Sequence, residues 1–488
     1  AINIVNTTVE AEIADSTVDA GSVDASANGS PTVEALTVAG AVSGSDDSLA
    51  FGGAGSGSGN YVTSTIEAII VDSDVTTTAG DLTLTAVDNS TINADAGSGA
   101  IAIAAGGDSA QTAAAVGAAA AYNEVSSTTR AAIEGTDNTI LVAGAATLGA
   151  SSTTDIDAFT LGLAGSLSAS SGGTSISLAG AGSGSGNYVR NTISSTVTDV
   201  SLETTAGDVS LSAVDDSTIN AEAGAVSVSI AAGQSSTVGV GLGLSITIND
   251  IDNDILAVID DSDVTSSGDL TLTAMSTAEI ESLAIGASLA VSASSGGTPV
   301  AVGATGTASS NRISNTIKAA IEDTDAGSDN TIDVGGALSI DASDSSIIDS
   351  FGFAGAIAIA AGSSGTPIAG SIGVGVALNT IDNDTAAYIE DVSDVDASTG
   401  ITIAATSDAA ITAQSAAAAV SVAAGSSNAV AVSGGGAVAQ NVILSKTNAF
   451  AENTDLDSGA GIDIDAMGDS AIKAEVVAAS ASVAAGGS

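Results

Sequence analysis

The stretch VDSDVTTTAGDLTLTAVDNSTINADAG, residues 71–97, decides the fold, because close variants of it return along the whole chain. Each repeat opens with an Asn that is followed two residues later by an apolar residue: Asn3, Asn60, Asn123, Asn187, Asn249, Asn311, Asn379 and Asn441. The gaps between them are 57, 63, 64, 62, 62, 68 and 62 residues, the longest containing extra residues at 326–330. A fixed period indicates a repeat architecture. We therefore interpret residues 1–488 as one continuous array of eight units.

Each unit is predicted to consist of strands. After the Asn come a short apolar stretch, an acidic turn and an alternating segment such as GDLTLTA at 80–86. A polar turn, a second short strand and an Ala/Gly/Ser-rich run such as VGVGLGLSI at 238–246 complete the unit. Alternation with period two and the frequent Val, Ile and Thr favour strand. For the Ala-rich run at 113–121 helix is the alternative, but its Gly and its position in the repeat favour extended chain.

Short strands at a fixed period, with no helix predicted between them, indicate an all-β, elongated β-solenoid (β-helix). Stacked coils of this kind bury a continuous core that a single coil cannot form. If a coil takes about 20 residues, each unit makes roughly three coils and the array is roughly 115 Å long, at about 4.8 Å per strand. A β-propeller is the competing architecture, although the Ala/Gly runs provide few large side chains for it.

The composition excludes several classes of function. Six Lys and Arg against 57 Asp and Glu give a net charge of −51, which opposes binding to nucleic acid or to an anionic membrane surface. The chain has no Cys, and we find no apolar run long enough to predict a membrane span. It also has no His, and its paired carboxylates recur everywhere, so no pair marks an active site. We predict a protein that is not an enzyme.

The acidic turns are the candidate metal sites, with Ca²⁺ as the predicted ion, because Ca²⁺ binds several oxygen ligands. The candidate ligands are Asp72, Asp74, Asp250, Asp252, Asp254, Asp261, Asp263, Asp382 and Asp384. The alternative is that these residues only form turns on a solvated face. With three coils per unit, equivalent acids of successive units would lie about 14 Å apart.

Two further patterns carry structural predictions. The opening Asn residues are predicted to stack as a hydrogen-bonded ladder, as amides do in stacked parallel strands. The sequence GAGSGSGNYV occurs at 53–62 and again at 180–189, which indicates duplication of paired units. Tyr61, Tyr122, Tyr188 and Tyr388 flank the unit starts as packing residues, with carbohydrate stacking as the alternative.

The pattern N-x-I-x-N-x-I-x-A-x-I-x-D-S-x-V, followed by G-D-L-x-L-x-A and an Ala/Gly-rich run, resembles the repeats of giant bacterial secreted exoproteins. That group comprises haemagglutinin-like adhesins, autotransporter-type passengers and repetitive leukotoxins. The segment NTIDNDTAAYIEDVSDV, residues 379–395, carries the resemblance best. The resemblance implies an extracellular β-helix that acts as a stalk, an adhesin or a matrix fibre at the cell surface.

Two hypotheses follow. In the first, the protein is a structural filament whose partner is itself, joined end to end or laterally. In the second, it is the stalk of a large secreted adhesin that binds Ca²⁺ or cell-surface glycans. A unique, aromatic-rich, nonrepetitive domain elsewhere in the full-length protein would favour the adhesin over the filament.

Overall fold

The computed structural model describes residues 1–46, 48–324 and 330–487. Residues 326–329 of the predicted insertion lie outside this part. The described chain is made of strands and the turns between them, and no helix occurs in it. The all-β β-solenoid expected from the sequence is confirmed: long parallel strands stack into two sheets, one with 19 strands and one with 10.

The strands in chain order are β1 Ile2–Ala14, β2 Thr17–Ala20, β3 Val23–Gly29, β4 Thr32–Ser45, β5 Leu49–Val71, β6 Asp74–Thr77, β7 Leu82–Gly106, β8 Gln111–Val142, β9 Ala146–Ser170, β10 Ser175–Val189, β11 Thr192–Thr204, β12 Val209–Gly233, β13 Thr237–Ile251, β14 Asp254–Asp260, β15 Asp263–Ser266, β16 Leu270–Ser276, β17 Glu279–Ser294, β18 Pro299–Ile313, β19 Thr316–Glu322, β20 Thr331–Val334, β21 Leu338–Gly362, β22 Ile368–Ile381, β23 Asp384–Glu390, β24 Asp394–Ala397, β25 Ile401–Gly425, β26 Val430–Ile443, β27 Lys446–Glu452, β28 Asp455–Ser458 and β29 Ile462–Gly486.

Each repeat unit is one large coil, so the prediction of three coils per unit is wrong. Asn60 pairs with Asn123 and Asn187 pairs with Asn249, so every residue lies beside its equivalent one whole unit away. This parallel register also excludes the propeller, whose blades are separate antiparallel sheets. Eight coils at about 4.8 Å span roughly 38 Å rather than 115 Å, and equivalent acids of neighbouring units are about 4.8 Å apart rather than 14 Å.

The coil is large because its strands are long. The polar turn predicted after GDLTLTA at 80–86 is not formed, and β7 runs unbroken from Leu82 to Gly106; the strand is interrupted at this place only at 30–31 and 277–278 among the described coils. Asp88 and Ser90 point inward there and hydrogen-bond to each other, at 2.9 Å, within the core. A polar pair that hydrogen-bonds internally can be buried without interruption of the strand. The Ala-rich run at 113–121 lies in β8, as predicted.

One coil shows the arrangement of all. The chain runs along β12 in the 10-stranded sheet, reverses at 234–236, and returns along β13, β14 and β15 in the 19-stranded sheet. It reverses again at 267–269 and enters the next coil. Large apolar side chains such as Leu211 and Ile259 fill the space between the sheets near this second reversal. Toward 234–236 the inward residues are mainly Ala, Ser and Gly.

The two sheets lie very close together where these small residues face inward. A Cβ atom placed on Gly239 would lie 2.7 Å from the carbonyl oxygen of Val291 in the opposite sheet. A Cβ on Gly117 would lie 2.0 Å from the carbonyl oxygen of Leu163. Backbone atoms cannot rotate away as a side chain can, so only Gly fits at these positions. The result is a thin two-layered part of each coil.

The predicted Asn ladder is confirmed. Each opening Asn from Asn3 to Asn379 donates from Nδ2 to Oδ1 of the equivalent Asn in the next coil, at 2.7–2.8 Å, and Asn441 is the last acceptor. The six internal members are buried, with at most 2% of their surface exposed. Because each amide both donates and accepts along the column, the buried groups are satisfied by identical neighbours.

Candidate functional site

The acidic turn that follows β5 and its equivalents forms a column along the stack. Its first residue adopts positive φ, between 47° and 60°, at Asp15, Asp72, Asp199, Asp261, Asp391 and Asn453. Asp and Asn tolerate this left-handed conformation better than most residues. The turn therefore requires these residue types for backbone reasons, independent of any ligand.

The carboxylates of this turn accept hydrogen bonds from the next coil. Asp74 accepts from the backbone N–H of Thr139 at 2.9 Å, and Asp263 accepts from that of Thr331 at 2.9 Å. Asp261 accepts from both the N–H and the hydroxyl of Thr324, at 2.7 and 2.9 Å. Four of the predicted metal ligands, Asp72, Asp74, Asp261 and Asp263, thus lie at one turn position, where three of them tie neighbouring coils together.

The other predicted ligands lie at the end of β13 and β22 and at the start of β14 and β23. Asp250 accepts from Arg190 and Arg312, each at 3.4 Å, and Asp384 accepts from Lys446 at 3.1 Å. Asp252, Asp254 and Asp382 are exposed. These five acids are separated from the turn column by the length of a seven-residue strand, such as β14. The nine candidates therefore form two separate columns rather than one site.

A row of acids that the sequence reasoning missed lies beside the turn. Asp260, Glu322, Glu390 and Glu452 are in register in successive coils. Burial, with the neighbouring charges of Asp261 and Glu322, raises the pKa of Asp260 to about 6. Lys318 and Tyr388 both donate to Glu322, at 2.7 and 2.5 Å. The signal was an acid just before the turn in each of these four coils, but the three-coil interpretation separated these residues in space.

Within residues 1–46, 48–324 and 330–487, no group of three or more acidic side chains is placed so as to hold a metal ion. Calcium binding by the turns stays a prediction of the sequence.

A second missed feature is a buried polar row inside the coil. Asp88, Ser152, Asp215, Ser276, Asp344 and Ser407 alternate in register through the 10-stranded sheet. Burial raises the pKa of Asp215 to about 6, against the opposing effect of hydrogen bonds from Ser217, Asn253 and Ser276. Alternation with Ser keeps two carboxylates from lying side by side, and the hydroxyls donate to them.

Asn residues from the facing sheet complete this polar row. The backbone N–H of Asn253 donates to Oδ1 of Asn315 at 2.9 Å, and its Nδ2 donates to Ser217 at 3.1 Å. The second Asn of the N-x-I-x-N pattern, as in Asn249 and Asn253, carried this signal in the sequence. One Asn of the pattern makes a ladder within a sheet, and the other links the two sheets.

Charge is divided unequally around the coil. We name one part of each coil the blade. It lies on either side of the reversal at 234–236 or of the equivalent reversal in another coil, and it comprises the segments 97–122, 161–186, 224–248, 285–310, 353–378 and 416–440. Asp108 is the one charged residue in these six segments, and it lies at the reversal of its own coil, at 107–110; the equivalent segment of the first coil, 38–59, contains Asp46 and Asp47 in its sequence. The outward residues of the blade are mainly Leu, Ile, Val, Ala and Gly. The acids occupy the rest of each coil, which we name the body.

No protein-family model matches this chain, and no curated protein matches it. In the part of the chain that the structure describes, no helix is long and apolar enough to cross a membrane.

Proposed function

We propose that this protein is a structural, non-catalytic element of an extracellular filament or surface fibre, built by coils that stack along one axis. The observation that carries the proposal is the Asn ladder, which joins the coils from Asn3 to Asn441 by hydrogen bonds of 2.7–2.8 Å. A column of identical buried amides supports axial stacking. The partner in this proposal is a further array of the same kind.

The distribution of carboxylates supports a role without catalysis. Equivalent acids recur in successive coils, as in the row Asp260, Glu322 and Glu390. A catalytic pair requires two groups whose environments differ and hold their pKa values apart. The extracellular location rests on the resemblance to secreted repeat proteins and on the acidic surface.

Electron microscopy and fibre diffraction of the purified protein test the proposal. We expect filaments with the reflection near 4.8 Å on the filament axis, because the strands stack along it. Discrete particles about 38 Å along the stack, at all protein concentrations and salt conditions, would contradict a filament-forming role.

The alternative is an adhesin stalk that binds glycans, and one observation favours it. Tyr61, Tyr122 and Tyr188 form a partly exposed aromatic row, with ring centroids 5.5 and 5.2 Å apart, and Arg190 lies over the ring of Tyr188. Aromatic rows on solvated faces can stack against sugar rings. Binding to a glycan array that is lost on replacement of Tyr122 and Tyr188 by Ser, without filament formation, would favour this alternative.

A further inference from the structure

The outward face of the blade in the 19-stranded sheet alternates between large and small residues from coil to coil across β10, β13, β18 and β22. In β13 the outward residues are Leu242, Leu244, Ile246 and Ile248, and in β22 they are Ile372, Val374, Val376 and Leu378. The coils on either side present Gly180, Gly182, Gly184 and Gly186 in β10 and Ala304, Gly306, Ala308 and Ser310 in β18. These residues are in register. We name this surface the corrugated face.

Its relief consists of ridges and grooves that run along the strands. Leu242, Leu244 and Ile372 have 48%, 51% and 57% of their surface exposed and stand above the Gly rows. The ridges lie two coils apart, about 9.6 Å. The two-coil period is also visible in the sequence. GAGSGSGNYV occurs at 53–62 and at 180–189, two coils apart, and both copies form Gly rows.

We propose that the corrugated face binds the corrugated face of a second copy of this chain, with the ridge of one copy in the Gly groove of the other. The inference rests on the proposed structural role and names the surface through which arrays associate side by side. A shift of one coil, about 4.8 Å, brings the row Leu242 to Ile248 of one copy over the row Gly180 to Gly186 of the other. A second array of the same repeat presents ridges and grooves at the same spacing, so the two faces are complementary.

The area and the charge agree with a second copy as the occupant. The outward residues of 238–248 and their equivalents in the six coils of the blade cover roughly 1,000 Å², from about 3.3 Å per residue and 4.8 Å per coil. A stable interface needs about 800 Å² per partner. An exposed apolar surface of this size marks an interaction site. The ridges and Gly rows carry no charge, and apart from Asp108 the acids that give the net charge of −51 lie outside the blade.

Steric complementarity favours a protein copy over lipid. Interdigitated sheets gain from close contact between fixed side chains at a common repeat, as in steric zippers. Acyl chains are fluid and have no 4.8 Å repeat to match, and the acidic bodies that flank the blade are repelled by an anionic bilayer.

The test compares two Gly→Val variants. Gly182→Val fills the groove, and a Cβ there has no heavy atom within 4 Å, so the change fits the isolated coil. Gly149→Val is the matched control, because Gly149 is also an outward strand Gly with no atom within 4 Å, but it lies on the body. Leu244→Ser, which removes part of a ridge, is the third variant. Circular dichroism establishes that each variant is folded.

Self-association is measured by sedimentation velocity from low to high micromolar protein, at low and high salt. We expect side-by-side pairs of the wild type that strengthen with salt, because screening reduces repulsion between the bodies. Gly182→Val and Leu244→Ser should weaken association at least about tenfold, while Gly149→Val should match the wild type. A wild type that stays monomeric, or a Gly182→Val variant that pairs like the wild type, would overturn the proposal.

Two further measurements separate this proposal from other outcomes. Flotation of monomeric protein with phosphatidylcholine vesicles, lost in Leu244→Ser, would assign the face to lipid and overturn the pairing. Microscopy distinguishes lateral from axial assembly. Filaments of single width for both wild type and Gly182→Val would leave the proposed function standing and overturn lateral pairing. Isolated pairs that form no filaments would support lateral pairing and contradict the proposed filament.

Discussion

Asn187 donates from Nδ2 to Oδ1 of Asn249 at 2.7 Å, although the two residues are 62 positions apart in the chain. Both side chains are buried, and Asn249 repeats the same contact with Asn311 in the next coil. One hydrogen bond thus shows both the size of the coil and the direction in which coils stack.

Replacement of Asn249 by Ala is expected to destabilise the protein by about 2–4 kcal/mol. The substitution leaves Nδ2 of Asn187 and Oδ1 of Asn311 buried without partners, and each unsatisfied group costs about 1–3 kcal/mol. Urea unfolding followed by circular dichroism measures the change. Asn220→Ala is the control, since Asn220 makes one exposed hydrogen bond, to Asp157, and we expect less than about 0.5 kcal/mol. Equal effects of the two substitutions would contradict the structural role of the ladder.

Stability is expected to fall as pH rises from 4 to 7, in part because of Asp215. Burial raises the pKa of Asp215 from 3.8 to about 6 in the folded protein. The folded state therefore retains a proton that the unfolded chain has lost. This contribution is fully present below pH 3.8 and is lost as pH rises through about 6, on the order of 3 kcal/mol in total.

Asp215→Asn should therefore reduce the slope of unfolding free energy against pH between 4 and 6, as measured by urea denaturation at several pH values. Asp216→Asn, at the exposed neighbouring position, is the control for loss of one charge. If the two variants show the same slope, the pH dependence arises from the surface charge and not from the buried row.

Gly239→Ala is expected to destabilise the blade by more than about 1 kcal/mol. The added Cβ would meet the carbonyl oxygen of Val291 at 2.7 Å, and overpacking against a backbone forces the two sheets apart. Gly182→Ala is the control, because its Cβ points outward into open space and Ala loses less backbone entropy than Gly. Thermal unfolding should give a lower midpoint for the first variant and an unchanged or higher one for the second. The reverse order would show that the sheets are farther apart than described.

Calcium binding by the acidic turns, predicted from the sequence, is expected to appear as a rise in melting temperature that Na⁺ at equal ionic strength does not reproduce. Bound ligand stabilises the folded state by mass action. The double variant Asp261→Asn, Asp263→Asn should reduce this rise, because it removes two negative charges from the ligand set and calcium affinity depends on that charge. Equal melting in CaCl₂ and NaCl would contradict calcium binding and leave these carboxylates a structural role, which includes the hydrogen bonds from Thr324 and Thr331.

Local features of the fold were predictable from the sequence because they depend on neighbouring residues. Alternation in LTLTA predicted strand, and Leu82 and Leu84 are indeed inward and buried in β7. The spacing of the opening Asn residues predicted the ladder. The polar turn between Ala86 and Ile92 was predicted incorrectly. Asp88 and Ser90 are turn-forming residues in isolation, but inside the coil they hydrogen-bond to each other and lie in the core.

The sequence by itself determined that this protein is a stack of parallel strands with a repeat of about 62 residues, since the period and the strand pattern are both properties of residues close together in the chain. Only the tertiary structure decided that one repeat is one coil, that Asp260 lies beside Glu322, and that Leu242 stands next to Gly180. The physical reason is that the length of a coil depends on where the chain reverses, and the reversals depend on packing between two sheets rather than on local propensity.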